Sequence, residues 1–203
     1  MDRLGTPGVI RPDEATRAWF SEFCGVVPTD IEIGSRAATF LCALASSSPA
    51  GRFIGVEINA DACAKAATRA LRSNVKNIRI VQMEGYRFLS SVVPDESVLS
   101  IHIYFPTPFP ESIGLKRRLV NLDFMDEARR ILVPGGNLRI ATDQQDYFAE
   151  CCMAVNLAYW WPVEWHPFSL GLRSGLLIGS PCEIKYRIEE RAAVSYLQIV
   201  RKR

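Results

Sequence analysis

The chain is poor in the features that announce most specialised chemistries. Histidine occurs only 2 times, and no Ser-His-Asp or Cys-His arrangement is legible, so neither common nucleophilic constellation is offered. The 6 cysteines include no CxxC and no Cys/His metal spacing. Most fall in apolar helical segments, where cysteine serves as a small buried hydrophobe in a reducing cytoplasm. No apolar run approaches the roughly 18 residues that span a bilayer. The opening MDRLGTPGVIRPDE has no charged-then-apolar leader pattern. Internal repeats and low-complexity segments are absent. Neither sign of charge dominates: 24 Lys+Arg against 22 Asp+Glu leave a net +2, a balance that neither demands nor excludes a nucleic acid.

What is present is apolar strand, turn and helix in alternation, in 203 residues with 48% hydrophobic content. That is enough for one domain over residues 1–203. The pattern predicts strands at Asp30–Gly34, Gly51–Ile58, Asn77–Gln82, Ser97–Phe105 and Asn137–Thr142. It predicts helices over Ala37–Ser47, Ala60–Arg72 with Asn59 as cap, Gly85–Val92, Leu119–Leu132 and Asp146–Ala158. Pro134-Gly135-Gly136 is expected to stop the fourth of these. The fold class is therefore α/β, with a mainly parallel central sheet and helices on both faces. Antiparallel C-terminal edge strands are expected within Tyr186–Val200.

A parallel sheet of this kind binds ligands at the carboxyl ends of its strands. Those ends carry Glu32 and Gly34, Glu57, Glu84, Phe105–Thr107 and Asp143. Gly34 lets the chain turn close to a ligand. Glu57, about 23 residues on, offers two acceptor oxygens for the hydroxyls of a ribose. Glu84 is placed to receive an adenine amino group, and Glu32 to face an ammonium. The first loop, Gly34-Ser-Arg-Ala-Ala-Thr-Phe40, is not GxGxxG. The fourth strand runs into Phe105-Pro-Thr-Pro-Phe-Pro110, whose prolines cannot continue a central sheet. A stiff aromatic loop carrying Thr107 leaves the sheet there. His102 lies inside that strand and reads as structural. Tyr159–Pro167 holds three tryptophans within six residues. Trp161 and Trp165 are candidates for a wall stacked on a flat acceptor, weighed against core packing or a dimer contact.

Taken in order, Glu32-Ile-Gly34, Phe53-Ile-Gly-Val-Glu57, Asn77-Ile-Arg79, Tyr104-Phe-Pro-Thr-Pro-Phe109, Lys116-Arg-Arg-Leu119, Pro134-Gly-Gly136 and Ala141-Thr-Asp143 followed by Tyr147 form a specific series. In it the chain resembles the S-adenosylmethionine-dependent tRNA (guanine-N7) methyltransferases over roughly residues 30–150. The resemblance implies a Rossmann-like class I methyltransferase fold with S-adenosylmethionine as cofactor and no metal. It implies donor contacts from Glu32, Gly34, Glu57, Ile58, Glu84, Gly85 and Tyr104. Thr107 and Asp143 would stand at the reacting end. Phe109, Arg117 and Tyr186 would meet the acceptor, with Arg117 and Arg118 near phosphates.

The chain also departs from the family. Its glycine-rich first loop shrinks to Gly34. Thr107 replaces an aspartate, Glu111 a lysine, and Arg187 a glutamate. Losing a hydrogen bond to a charged group costs about 1.5–3 kcal/mol, so several such losses would erode guanine specificity. The leading expectation is therefore methyl transfer to a nitrogen of a small heterocyclic or purine-like acceptor. The alternatives are a tRNA guanine-N7 methyltransferase and a non-catalytic RNA- or partner-binding relative. A cytoplasmic monomer or homodimer without membrane contact is expected.

Overall fold

The computed structural model describes residues 8–109 and 118–158, and the backbone of Trp161–Ser169 and Val194–Arg201. In chain order its elements are β1 (Val9–Ile10), α1 (Arg17–Cys24), β2 (Thr29–Ile33), α2 (Thr39–Ser47), β3 (Arg52–Glu57), α3 (Ala60–Arg72) and β4 (Ile78–Gln82). Then follow α4 (Gly85–Val92), β5 (Val98–Tyr104), α5 (Leu122–Ile131), β6 (Leu132–Thr142), α6 (Gln145–Leu157), β7 (Trp161–Ser169) and β8 (Val194–Arg201).

Local chemistry explains the helix bounds. Asn59 Oδ1 accepts from Ala62 N at 2.9 Å and starts α3. Asp61 in its first turn and Arg69 and Arg72 in its last complement the helix dipole. Cys63, Ala66 and Ala70 form its buried stripe. Asn121 caps α5 through Phe124 N at 3.0 Å, so that helix begins later than the apolar pattern suggested.

Among the described residues the strands form one sheet in the order β1-β4-β3-β2-β5-β6-β8-β7. Pairings from β1 through β6 are parallel; β6 pairs β8, and β8 pairs β7, antiparallel. The chain steps outward from β2 to β3 and β4, then returns to lay β5 on the other side of β2. The switch in strand order thus falls between β2 and β5, which is where such sheets open a ligand crevice.

Strand alternation assigns the two faces. Ile31, Ile33, Ile54, Val56, Ile101, Ile103, Leu138 and Ile140 point into one core with α1, α4, α5 and α6. Phe53, Ile78 and Ile80 point the other way, against α2 and α3. That second face continues as a polar strip of Asp30, Glu32, His102 and Tyr104, with Phe40 of α2 on it: its ring lies 5.1 Å from His102 and 5.0 Å from Tyr104.

Three expectations need correction. Pro134-Gly135-Gly136 does not stop a helix. α5 ends at Ile131 and β6 starts at once, so the tripeptide is a bulge inside the strand. The register shifts there, from Val98↔Leu132 to Ser100↔Asn137. Gly135 takes φ 79°, and a Cβ on Gly136 would stand 2.9 Å from the Val133 carbonyl. Next, β1 and α1 precede the first expected strand; β1 is too short for a periodicity to show. Last, Trp161 and Trp165 lie on an edge strand, β7, whose register sets them at different levels of the sheet. Trp161 pairs with Arg201, which pairs with Asn137, level with Ser100 of β5 and Asp30 of β2. Trp161 thus stands toward the amino ends of the parallel strands, away from an acceptor, whereas Trp165 pairs with Gln198 and, through Ile140 and Ile103, is level with Ile33 at the carboxyl end of β2. Two prolines, Pro162 and Pro167, suit an edge, where no ladder donor is needed.

Candidate active site at the carboxyl ends of the strands

The first loop keeps a glycine-loop shape with few glycines. Gly34 takes φ 75°, and Arg36 and Ala38 take φ 48° and 50°. The left-handed region costs a non-glycine residue roughly 1–2 kcal/mol, so this shape is held against strain. What holds it is β3. Gly34 N and Ser35 N both donate to the Val56 carbonyl, at 2.8 and 3.1 Å. Arg36 N donates to Glu57 Oε2 at 3.0 Å. Asn59 N donates to Glu57 Oε1 at 2.8 Å. Glu57 is therefore fixed by two backbone donors, and each oxygen keeps a lone pair for a ligand hydroxyl.

Glu32 is the most perturbed carboxyl of the strip. It is 6% exposed, and its Oε2 has no hydrogen-bond partner. Burial first, and the Glu57 charge second, push it up to about 8. A buried acceptor left without a donor is costly to the free protein. A cationic ligand group at this strand end would satisfy it.

The remaining donor-side candidates divide. Ile58 is exposed at the end of β3. Glu84 is exposed but already caps α4, accepting from Tyr86 N at 2.8 Å and Arg87 N at 2.7 Å. Gly85 has a packing reason to be glycine: a Cβ there would stand 2.4 Å from Ile33 Cγ2. Tyr104 directs its hydroxyl to His102 Nδ1 at 2.9 Å, and burial raises its phenol above the ordinary value. His102 Nε2 reaches Asp30 Oδ2 at 3.2 Å. Tyr104, His102 and Asp30 thus form one hydrogen-bonded chain, with His102 buried at its centre.

On the acceptor side, β5 ends and the chain turns sharply. Phe105 takes φ 53°, an uncommon state for a bulky residue, while its N–H donates to the Ala141 carbonyl at 2.7 Å. Thr107 is exposed on the loop and Phe109 half-buried. Asp143 closes β6, half-buried, and accepts from Gln144 Nε2 at 3.1 Å. Arg117 and Tyr186 lie outside the described residues.

Arg118 does not face phosphates. It is 2% exposed. Its Nε donates to the Phe109 carbonyl at 2.9 Å and its Nη2 to the Pro108 carbonyl at 3.0 Å. Nη2 also meets Asp146 Oδ2 at 2.9 Å, and Nη1 meets Glu150 Oε1 at 2.9 Å. The guanidinium lies 4.9 Å from the Tyr147 ring centre. The hydrogen bond from Arg118 holds the Asp146 carboxyl below its ordinary range. Arg118 thus rivets the proline loop to α6, a role that sequence reasoning missed. The one legible signal is the acid pair Asp146 and Glu150, a helical turn apart.

Known proteins agree with this layout. A family model described as "Putative methyltransferase" matches residues 27–159. A tRNA (guanine-N(7)-)-methyltransferase of Geobacter metallireducens is 32% identical over 149 residues, 72% of this chain and 71% of that protein. The chain belongs to the S-adenosylmethionine-dependent tRNA (guanine-N7) methyltransferase family. A Corynebacterium diphtheriae protein of the same name is 34% identical over 139 residues, 68% of this chain but about half (53%) of that protein. Among solved structures, the 16S rRNA methyltransferase KamB superposes with a TM-score of 0.69 at 11% identity, over 93% of this chain and 94% of that one. At that identity the likeness speaks for the Rossmann-like class I fold.

The methyl donor of this methyltransferase is S-adenosylmethionine, which supplies an electrophilic methyl group on a sulfonium. The residues present fit it: Glu57 offers acceptors for a ribose, Glu32 an unsatisfied buried acceptor for an ammonium, and Gly34 a close backbone approach.

Proposed function

We propose that the chain methylates guanine N7 in tRNA. The observation that carries this reading is the match over residues 27–159, the stretch that builds the strand-end site, to a family whose relatives are named for that reaction. It displaces the small heterocyclic acceptor that the altered loop residues suggested. Guanine N7 has a lone pair free at neutral pH, so no general base is required. The chain's work is then to orient the acceptor and exclude water. The proline loop, braced by Arg118, sets the acceptor side. Thr107 retains a hydroxyl there, able to accept one neutral hydrogen bond where the family has a carboxylate. Asp143 supplies the negative charge across the crevice.

A methyl-transfer assay with labelled donor, run in parallel on a tRNA pool and a small-metabolite extract, tests this. The expected result is label in tRNA, at a guanine whose glycosidic bond becomes labile as N7-methylation requires. Label confined to small molecules would overturn it.

A further inference from the structure

Several arginines outside α3 are used internally. Arg79 Nη1 donates to the Lys76 and Ile78 carbonyls at 3.0 and 2.8 Å, and its guanidinium lies 4.6 Å from the Phe23 ring centre. Arg118 is buried, as above. Arg130 binds Glu127 and the Val93 and Leu89 carbonyls, and Arg129 the Ala158 carbonyl. The outer face of α3 is different. Lys65, Arg69 and Arg72 are exposed at i, i+4 and i+7, about 6 and 4.5 Å apart along the axis. Together with Ala37 and Thr68 they line a cleft of about 690 Å³. Asp61, in the first turn, is its single acid. Lys65 and Arg72 make no ion pair among the described residues. Arg69 is held in place by donating from Nε to the Ala37 carbonyl at 2.9 Å.

Ala37 joins this cleft to the donor loop, since it follows Arg36, whose N–H fixes Glu57. We propose that the α3 cleft is a second docking surface, which binds backbone phosphates of the RNA whose guanine enters the strand-end crevice. This rests on the tRNA reading and deepens it. Three cations stacked along one helix match a run of phosphates, which position a nucleic acid without reading its sequence. A protein partner fits less well, because the lining offers only alanines where an interface needs aromatic or large aliphatic anchors.

The test is tRNA binding by fluorescence anisotropy from 50 to 200 mM salt, on the parent and on the double variant Lys65→Gln/Arg72→Gln, with tRNA methylation followed in parallel. Both positions are exposed, and Gln is a good helix former, so the fold is retained; a melting curve checks this. Two lost phosphate contacts should flatten the log–log salt slope by about 2. Across that range the parent then loses about sixteenfold more affinity than the variant. Parental methylation of tRNA with an unchanged slope in the variant would overturn the cleft and leave the proposed function standing. A flattened slope without guanine methylation would support the cleft and overturn the function. An absence of tRNA binding by the parent would overturn both.

Discussion

Replacing Glu32 by Gln should separate the stability of the free protein from its hold on the donor. The carboxyl is buried, lacks a partner for Oε2, and is pushed from its ordinary 4.5 to about 8. In the unfolded chain it loses its proton near the ordinary value. Between those limits the native state therefore holds a proton that the unfolded state does not, and stability falls as pH rises. The contribution is full below about 4.5 and lost by about 8. Each pH unit in that window is worth about 1.4 kcal/mol, so the loss is on the order of 4 kcal/mol at pH 8. Gln has the same shape and no proton to lose. Glu32→Gln should match the parent within about 1 kcal/mol at pH 5 and exceed it by several at pH 8. Donor binding should move the other way. Pairing with an ammonium requires the ionised carboxylate, so donor affinity should rise with pH in the parent and fall about tenfold or more in the variant. Urea denaturation at the two pH values reads the first effect. Calorimetry in two buffers of different ionisation enthalpy reads the second, as proton release on binding. Equal stability of both proteins at pH 8, together with buffer-independent heats, would refute the reasoning.

Glu57→Ala should weaken S-adenosylmethionine binding at least about tenfold, or 1.4 kcal/mol; unchanged affinity by calorimetry would remove Glu57 from the site. Arg118→Lys keeps a positive charge but not the fork that reaches two carbonyls and two carboxylates at once. It should lower kcat/KM for methyl transfer about tenfold or more while donor affinity holds, and a parallel fall in donor affinity would show that Arg118 does not act through the proline loop. Arg36→Gly relieves a left-handed arginine and should raise stability by about 0.5–1 kcal/mol after the extra freedom of the unfolded chain is counted; a lower urea midpoint would show that the strain is not there.

Legibility in the sequence followed how local each cause is. α3 and α4 run over the expected residues because cap, first-turn charge and apolar spacing all lie within the segment. The strand-end acids follow from the same local logic, since Glu32 and Glu57 close consecutive parallel strands. What escaped depends on contacts far apart in sequence. Arg118 read as a surface cation because Asp146 lies 28 residues away. The first loop read as a lost glycine loop because its left-handed Arg36 and Ala38 are imposed by β3, not by their own preferences. The bulge at Pro134–Gly136 read as a helix stop because either use asks for the same residues. The tryptophan segment stays open between a wall and a core or dimer contact because aromatic density does not reveal register.

The central claim is that these strand ends carry methyl from S-adenosylmethionine to guanine N7 of tRNA. The most direct measurement is incubation of the purified chain with labelled donor and unmodified tRNA, followed by mapping of the labelled base. The expected result is one methyl per tRNA, on a guanine N7, abolished by Glu57→Ala and reduced by Arg118→Lys. Stoichiometric label on another base or atom, or tight donor binding with no label in any tRNA, would contradict it.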